Sequence, residues 1–263
     1  MWQVFRYEWR TNRRSFFIWA GIIIVFQMMF AGIGDMYTSN TSLLDALKQF
    51  PPALLEGFGM HVEMFGSFEG WMAGEPLVFY MMLLGIFAAM WAASTVARER
   101  DRGTVDFMFT LPASRGQLFL GKACAHLLAF FLIAAVSYGV TVWFGHLFST
   151  VADAGLLLTY SIAGLLAALA FAGIGYVMTV FVTSERTGMS LSIGIVILSF
   201  LFHLLSGMEK SLAWMSDISL FTVFNGKDLF DAGSLPWEGV IITIGIYAGG
   251  LFFGWLVLTK RDL

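Results

Sequence analysis

Six long stretches with almost no charged residue recur along the chain, at 16–33, 76–97, 118–147, 156–183, 189–206 and 237–258. A helix rises roughly 1.5 Å per residue, so each stretch is long enough to cross a hydrocarbon core about 30 Å thick. In that medium a spanning segment must satisfy its own backbone N–H and C=O groups, which leaves helices or a closed barrel. Stretches of this length predict an all-α integral membrane protein, one domain over 1–263 with six transmembrane helices. The composition agrees: 58% of residues are apolar and 13% charged, with a mean hydropathy of +0.78, against about 45–50% and 25% in soluble domains. The third and fourth stretches exceed a minimal span and must tilt or project. The second opens on Gly74-Glu75-Pro76, a proline-led helix start.

Basic residues collect on the cytoplasmic side of short loops. With the N-terminus inside, Arg6, Arg10, Arg13, Arg14, Arg98, Arg100, Arg102, Arg115, Lys122, Arg186, Lys260 and Arg261 all fall on that side, and only Lys48, Lys210 and Lys227 fall outside. Twelve of fifteen basic residues therefore place both termini in the cytoplasm. The first stretch lacks the short apolar core and small-residue site of a cleaved signal peptide, so it is expected to stay as an anchor. A bacterial inner membrane is the expected location, although no targeting motif specifies it.

Between the spans lie three kinds of segment. Residues 1–12 place Trp2, Phe5 and Trp9 at helical spacing with Gln3, Arg6 and Arg10 elsewhere, which predicts an interfacial helix with snorkelling arginines. The alternative is a basic topogenic flank. On the outside, "SLLDALKQFPPALLEGFGM" and "LAWMSDISLFTVFNGKDLFDAGSLPW" predict short extracytoplasmic helices before the second and sixth spans, the latter packed against the bundle. Cys124 is the single cysteine and sits within the third span, so it forms no intramolecular disulfide or cysteine metal cluster and reads as a buried small apolar residue.

The cytoplasmic stretch "ARERDRGTVDFMFTLPASRGQLFLGK" at 97–122 is longer than a turn requires. Thr104 can cap a short helix with Asp106 in its first turn; Val105, Met108 and Phe109 share one face, Phe107 and Leu111 form a second apolar edge, and Pro112 ends it. Ser114 and Gln117 then have the spacing of a capping box at the head of the third span. Such a helix either fits a groove on another protein or rests on lipid.

This string, Glu99, Gly103-Thr104, Asp106, Phe107-Met108-Phe109, Leu111-Pro112, Ser114-Arg115 and Gly121-Lys122, resembles that of the membrane subunits of type 2 ATP-binding cassette exporters. Asp106 stands where glutamate is common in that family, and the apolar run is aromatic and methionine-rich instead of leucine-rich. The resemblance implies a permease in which 98–115 is the coupling segment and 104–111 its helix, docked on a separate ATPase subunit present in two copies. Phe107, Met108 and Leu111 are then apolar docking contacts. Glu99, Arg100 and Asp106 are charged contacts that fix register, with Gly103, Thr104 and Pro112 shaping the segment. It also implies a second permease chain, a homodimer by default and a heterodimer otherwise, with Phe79, Met82, Phe87 and Met90 meeting Leu198 and Phe202 as a dimer seam or substrate path. ATP and magnesium would belong to the partner, with no cofactor held by this chain and no nucleic-acid partner.

Other chemistries find little support. Gly116, Gly121 and Lys122 imitate a phosphate loop, but Ala123 stands where the magnesium-binding hydroxyl belongs and an alanine-rich apolar run follows. His61, His126, His146 and His203 have no metal-ligand spacing, and no nucleophile elbow occurs, so neither catalytic residues nor a metal are expected. No acidic or basic residue lies near a span centre, which disfavours an ion-coupled carrier; an ATP-independent carrier or channel remains the alternative. Gln27, His126 and His203 read as hydrogen-bonded packing residues, and Gly173 and Gly175 as sites of close helix packing.

Overall fold

The computed structural model describes residues 2–39, 45, 49–51, 55, 61–101, 103 and 114–260. Among them there is no strand, and six helices are long and apolar enough to cross a membrane. These are α1 (Trp2–Ser39), α3 (Glu75–Ala93), α5 (Arg115–Phe148), α6 (Ala154–Met178), α7 (Glu185–Met208) and α9 (Trp237–Lys260). Shorter helices are α2 (Phe68–Ala73), α4 (Ala97–Asp101) and α8 (Gly226–Ala232). The protein is an integral membrane protein.

Helix starts follow local chemistry. Ser114 accepts from the Gln117 N–H while the Gln117 side chain accepts from the Ser114 N–H, the capping box expected at the head of α5. Asp153 accepts from the Gly155 and Leu156 N–H groups to open α6, Ser184 caps α7, and Pro76 sits in the first turn of α3.

The second span, α3, lies at the centre of the bundle. It packs most extensively on α6, while α1 pairs with α5, α9 covers the far side of α6 and α7 flanks α3. Close approach rests on missing β-carbons. The carbonyl oxygen of Ala89 and the side chain of Ala92 lie against Gly175, and the backbones of Ile246 and Tyr247 lie against Gly173, so both glycines serve close packing as expected. Spans α7 and α9 expose most of their length.

At the end opposite the N-terminus, a 3₁₀ turn (Val62–Gly66) and α2 fold over the bundle. Trp71 donates from Nε1 to the Phe30 carbonyl at 2.9 Å and stacks on Tyr37 at 4.0 Å. Glu69 accepts the N–H groups of Ala152 and Asp153 at 2.6 and 2.8 Å, tying α2 to the α5–α6 corner. The short helices expected at 42–60 lie almost wholly outside the described residues. Before α9, two 3₁₀ turns (Lys210–Asp217 and Thr222–Phe224) and α8 bury Phe221, Phe224 and Leu229 against the bundle, as expected for that segment.

Three expectations are corrected. Residues 2–12 do not form a separate surface helix: α1 runs unbroken from Trp2 to Ser39, about 57 Å at 1.5 Å per residue, and its buried stripe passes through Val4, Glu8, Asn12, Phe16 and Ala20. Trp2 is exposed instead. Cys124 is exposed as well, because it shares the outward face of α5 with Leu127, Leu128 and Phe131. The residues proposed for a seam are also split. Phe87 and Met90 are enclosed within the chain, with Phe87 against Trp19 and Phe130, and Phe79 stacks on Phe30. Leu198 faces outward, while Met82 and Phe202 are half-buried. The central position of α3 removes most of its surface from contact with another chain.

Candidate functional site

Where α3 ends, the chain turns through Ser94–Val96 into α4 and then reaches Gly103, whose φ of +63° is left-handed and suits glycine. Residues 104–113 lie outside the described residues, so Thr104, Asp106, Phe107, Met108, Leu111 and Pro112 do too, and the side chain of Arg100 is likewise not described. What the structure does show is how the root of that segment is held.

Arg98 is the hub. Its Nε donates to Glu185 of α7 at 2.8 Å and its Nη2 to Ser94 Oγ at 2.8 Å. Its Nη1 donates to Asn12 Oδ1 and lies 3.5 Å from Glu8 Oε1, both on α1. Lys122 of α5 donates to the Thr95 carbonyl at 2.7 Å and to Glu99, and lies 3.7 Å from Glu8 Oε2. Glu8 also accepts from Asn12 Nδ2 at 2.5 Å. His126 Nε2 is 3.2 Å from Glu8 and Nδ1 is 3.1 Å from the Tyr176 hydroxyl. A carboxylate only accepts, so this arrangement assigns the ring proton to Nε2 and leaves Nδ1 to take the Tyr176 O–H. The Glu185 N–H donates to Asp101 at 2.7 Å.

Glu8, Arg98, Glu99, Lys122 and His126 are all buried, none more than 5% exposed. Such charges survive burial only when paired and fully hydrogen-bonded. Burial pushes the Glu99 carboxyl above the usual carboxylate range, with Lys122 pulling the other way. The cluster therefore fixes the segment 94–101 to three spans at once, α1 through Glu8 and Asn12, α5 through Lys122, and α7 through Glu185. Beside it opens a cleft of about 320 Å³ lined by the apolar side chains of Ile18, Trp19, Met90 and Met189 together with Asn12, Arg14, Arg98 and Glu185.

This geometry revises one sequence expectation, for Glu99, and agrees with another, that the apparent phosphate loop is not one. Glu99, expected as a docking contact, points into the bundle and lacks the surface such a contact needs. Lys122, the lysine of the apparent phosphate loop, is held by Glu99 and Thr95, while Gly116 lies in the first turn of α5 against Trp255. Among the described residues no strand precedes this helix, and the ammonium is already paired. His126 is a hydrogen-bonded buried residue as expected. His203 is buried against Phe221, but its Nδ1 has no hydrogen-bond partner among the described residues. Glu8 is the member of the cluster that sequence reasoning missed; the signal was its register, one helical turn before Asn12 on the stripe that continues to Phe16, Ala20 and Ile23.

A family model described as ABC-2 family transporter protein matches residues 2–262. The chain belongs to that family. An ABC-2 transporter is the membrane component, or permease, of an ATP-binding cassette transporter, and membership implies association with an ABC ATPase. No curated protein matches the chain.

Proposed function

We propose that this ABC-2 permease is half of an exporter driven by a separate ATPase. The observation that carries the reading is the ionic cluster, which fastens 94–101, the lead into 104–111, to α1, α5 and α7. Two ATPase subunits dock on 104–111 of two permease chains, the pair being a homodimer by the simplest symmetry. Phe107, Met108 and Leu111 supply apolar contacts; Arg100 and Asp106 supply register. As ATP binding and hydrolysis in the partner close and open its dimer, movement of 104–111 passes through Arg98, Glu99 and Lys122 into the spans. The two permease chains then exchange inward-facing and outward-facing states. ATP and magnesium act in the partner; this chain contributes no chemistry and holds no cofactor.

The end of the bundle bearing Arg98, Arg115 and Lys260 is the cytoplasmic one, and both termini lie there, in a bacterial plasma membrane. The cleft beside the cluster, which combines apolar side chains with Arg14, Arg98 and Glu185, suits an amphipathic cargo.

The test is co-purification with an ABC ATPase encoded beside the permease. The double change Phe107→Asp, Leu111→Asp is expected to reduce ATPase recovery at least tenfold, the consequence of losing roughly 1.4 kcal/mol or more from the interface, while leaving the permease folded. Unchanged ATPase recovery overturns the docking assignment. Transport that persists without any ATPase favours a carrier instead.

A further inference from the structure

At the end of the bundle opposite the ionic cluster, three hydroxyls stand out. Tyr80 of α3, Thr141 of α5 and Tyr160 of α6 are at most 5% exposed; Thr141 and Tyr160 have no hydrogen-bond partner among the described residues, and the Tyr80 hydroxyl lies near Ser161 without forming a well-aligned bond to it. All three line one small pocket with about 20 Å³ of room for water, which Gln27 of α1, Tyr138 and Ser161 also line. Tyr138 donates to the Ala154 carbonyl at 3.3 Å and Ser161 to the Ala134 carbonyl at 3.0 Å, so their hydroxyl oxygens remain free to accept. The ring of Tyr80 is held in place over Gly164, where a β-carbon would strike it.

Burying a hydroxyl without a well-formed bond is costly, and three such groups around one space call for a common explanation. One water needs roughly 10–15 Å³ and two to four polar partners; this cavity offers both. No charged side chain lines it, so an ion would enter uncompensated, and the volume is far below that of a drug-sized ligand.

We propose that this cavity binds a single structural water molecule, which bridges Tyr80, Thr141, Tyr160 and the Gln27 amide. The water ties α1, α3, α5 and α6 at this end of the bundle as the ionic cluster ties the other, so the central span is held by polar contacts at both ends. Ser137 supplies an internal reference: its hydroxyl is also fully buried and unpartnered among the described residues, but it does not line the cavity.

The sign of the effect of removing each hydroxyl tests the site. With the full-length chain purified in detergent, Tyr80→Phe, Tyr160→Phe and the isosteric Thr141→Val are each expected to lower Tm by a few degrees. The double change Tyr80→Phe, Thr141→Val should cost less than the sum, because one water is lost only once. Ser137→Ala should leave Tm unchanged or raise it. Radiolytic footprinting, which labels side chains beside bound water, is expected to oxidise Tyr80 and Tyr160 despite their burial. The proposal is overturned if deleting the cavity hydroxyls raises Tm or leaves it unchanged, if the losses simply add, or if both tyrosines stay unlabelled.

Discussion

Lys122→Met is expected to destabilise the permease more than any other single change in its ionic cluster. The substitution keeps most of the side-chain volume but leaves Glu8 and Glu99, both buried, without the ammonium that lies between them. Removing one partner of a buried pair costs about 3–5 kcal/mol, whereas replacing the pair by apolar groups is often neutral. Against a total stability of roughly 5–15 kcal/mol, that loss should appear as a large fall in Tm or as failure to elute as a monodisperse species. Glu99→Gln in the Lys122→Met background removes one of the stranded charges and is expected to recover part of the loss. If Lys122→Met melts within a degree of the parent, the cluster does not tie 94–101 to the spans, and the proposed route of coupling through it fails.

Gly173→Leu should be nearly as damaging, for a steric reason. A β-carbon there would lie 2.7 Å from Tyr247 Cα and 2.8 Å from the Ile246 carbonyl carbon. These are backbone atoms of α9, so no rotamer relieves the clash, and α6 and α9 must separate along their whole contact. Overpacking costs about 1–3 kcal/mol where side chains can yield, and here none can, so the loss should reach or exceed the top of that range. Gly249→Leu is the matched control. That glycine is one position from Gly250, which itself lies against Gly173, yet open space surrounds its missing β-carbon. Leucine is a better helix former than glycine by nearly 1 kcal/mol, so Gly249→Leu should leave Tm unchanged or slightly raised. Equal melting of the two variants would sink the close-approach account.

Much of this architecture was legible because a bilayer imposes a simple rule on a chain. Uncharged runs long enough to cross must be helices, and the observed spans overlap all six expected stretches, with ends within about five residues except for α1, which begins at Trp2 instead of near Phe16. Local signals fared equally well: Ser114 and Gln117 form their capping box, Pro76 opens α3, and Gly173 and Gly175 mark crossings. Glu8 was missed because its neighbours Trp2, Phe5 and Trp9 suggest an apolar face on the wrong side of the helix. Only the continuity of α1 into the stripe at Phe16 and Ala20 reveals which face turns inward. Glu99 was misplaced for a related reason. A charged loop residue reads as solvent-facing unless its counter-charge is known, and Lys122 lies 23 positions away.

The sequence by itself determined that this chain is a six-span helical membrane protein, where most of its spans after the first begin, and its likeness to the family to which it belongs. Each of these depends on composition or on spacing within one helical turn. Only the tertiary structure decided that α3 is the central span, that Phe87 and Met90 are enclosed, and that Glu8, Arg98, Glu99, Lys122 and His126 form one cluster. Those facts depend on how helices distant in sequence face one another. Inside a bilayer nearly every face of a span is apolar, so hydrophobic periodicity carries little information about which face meets which neighbour.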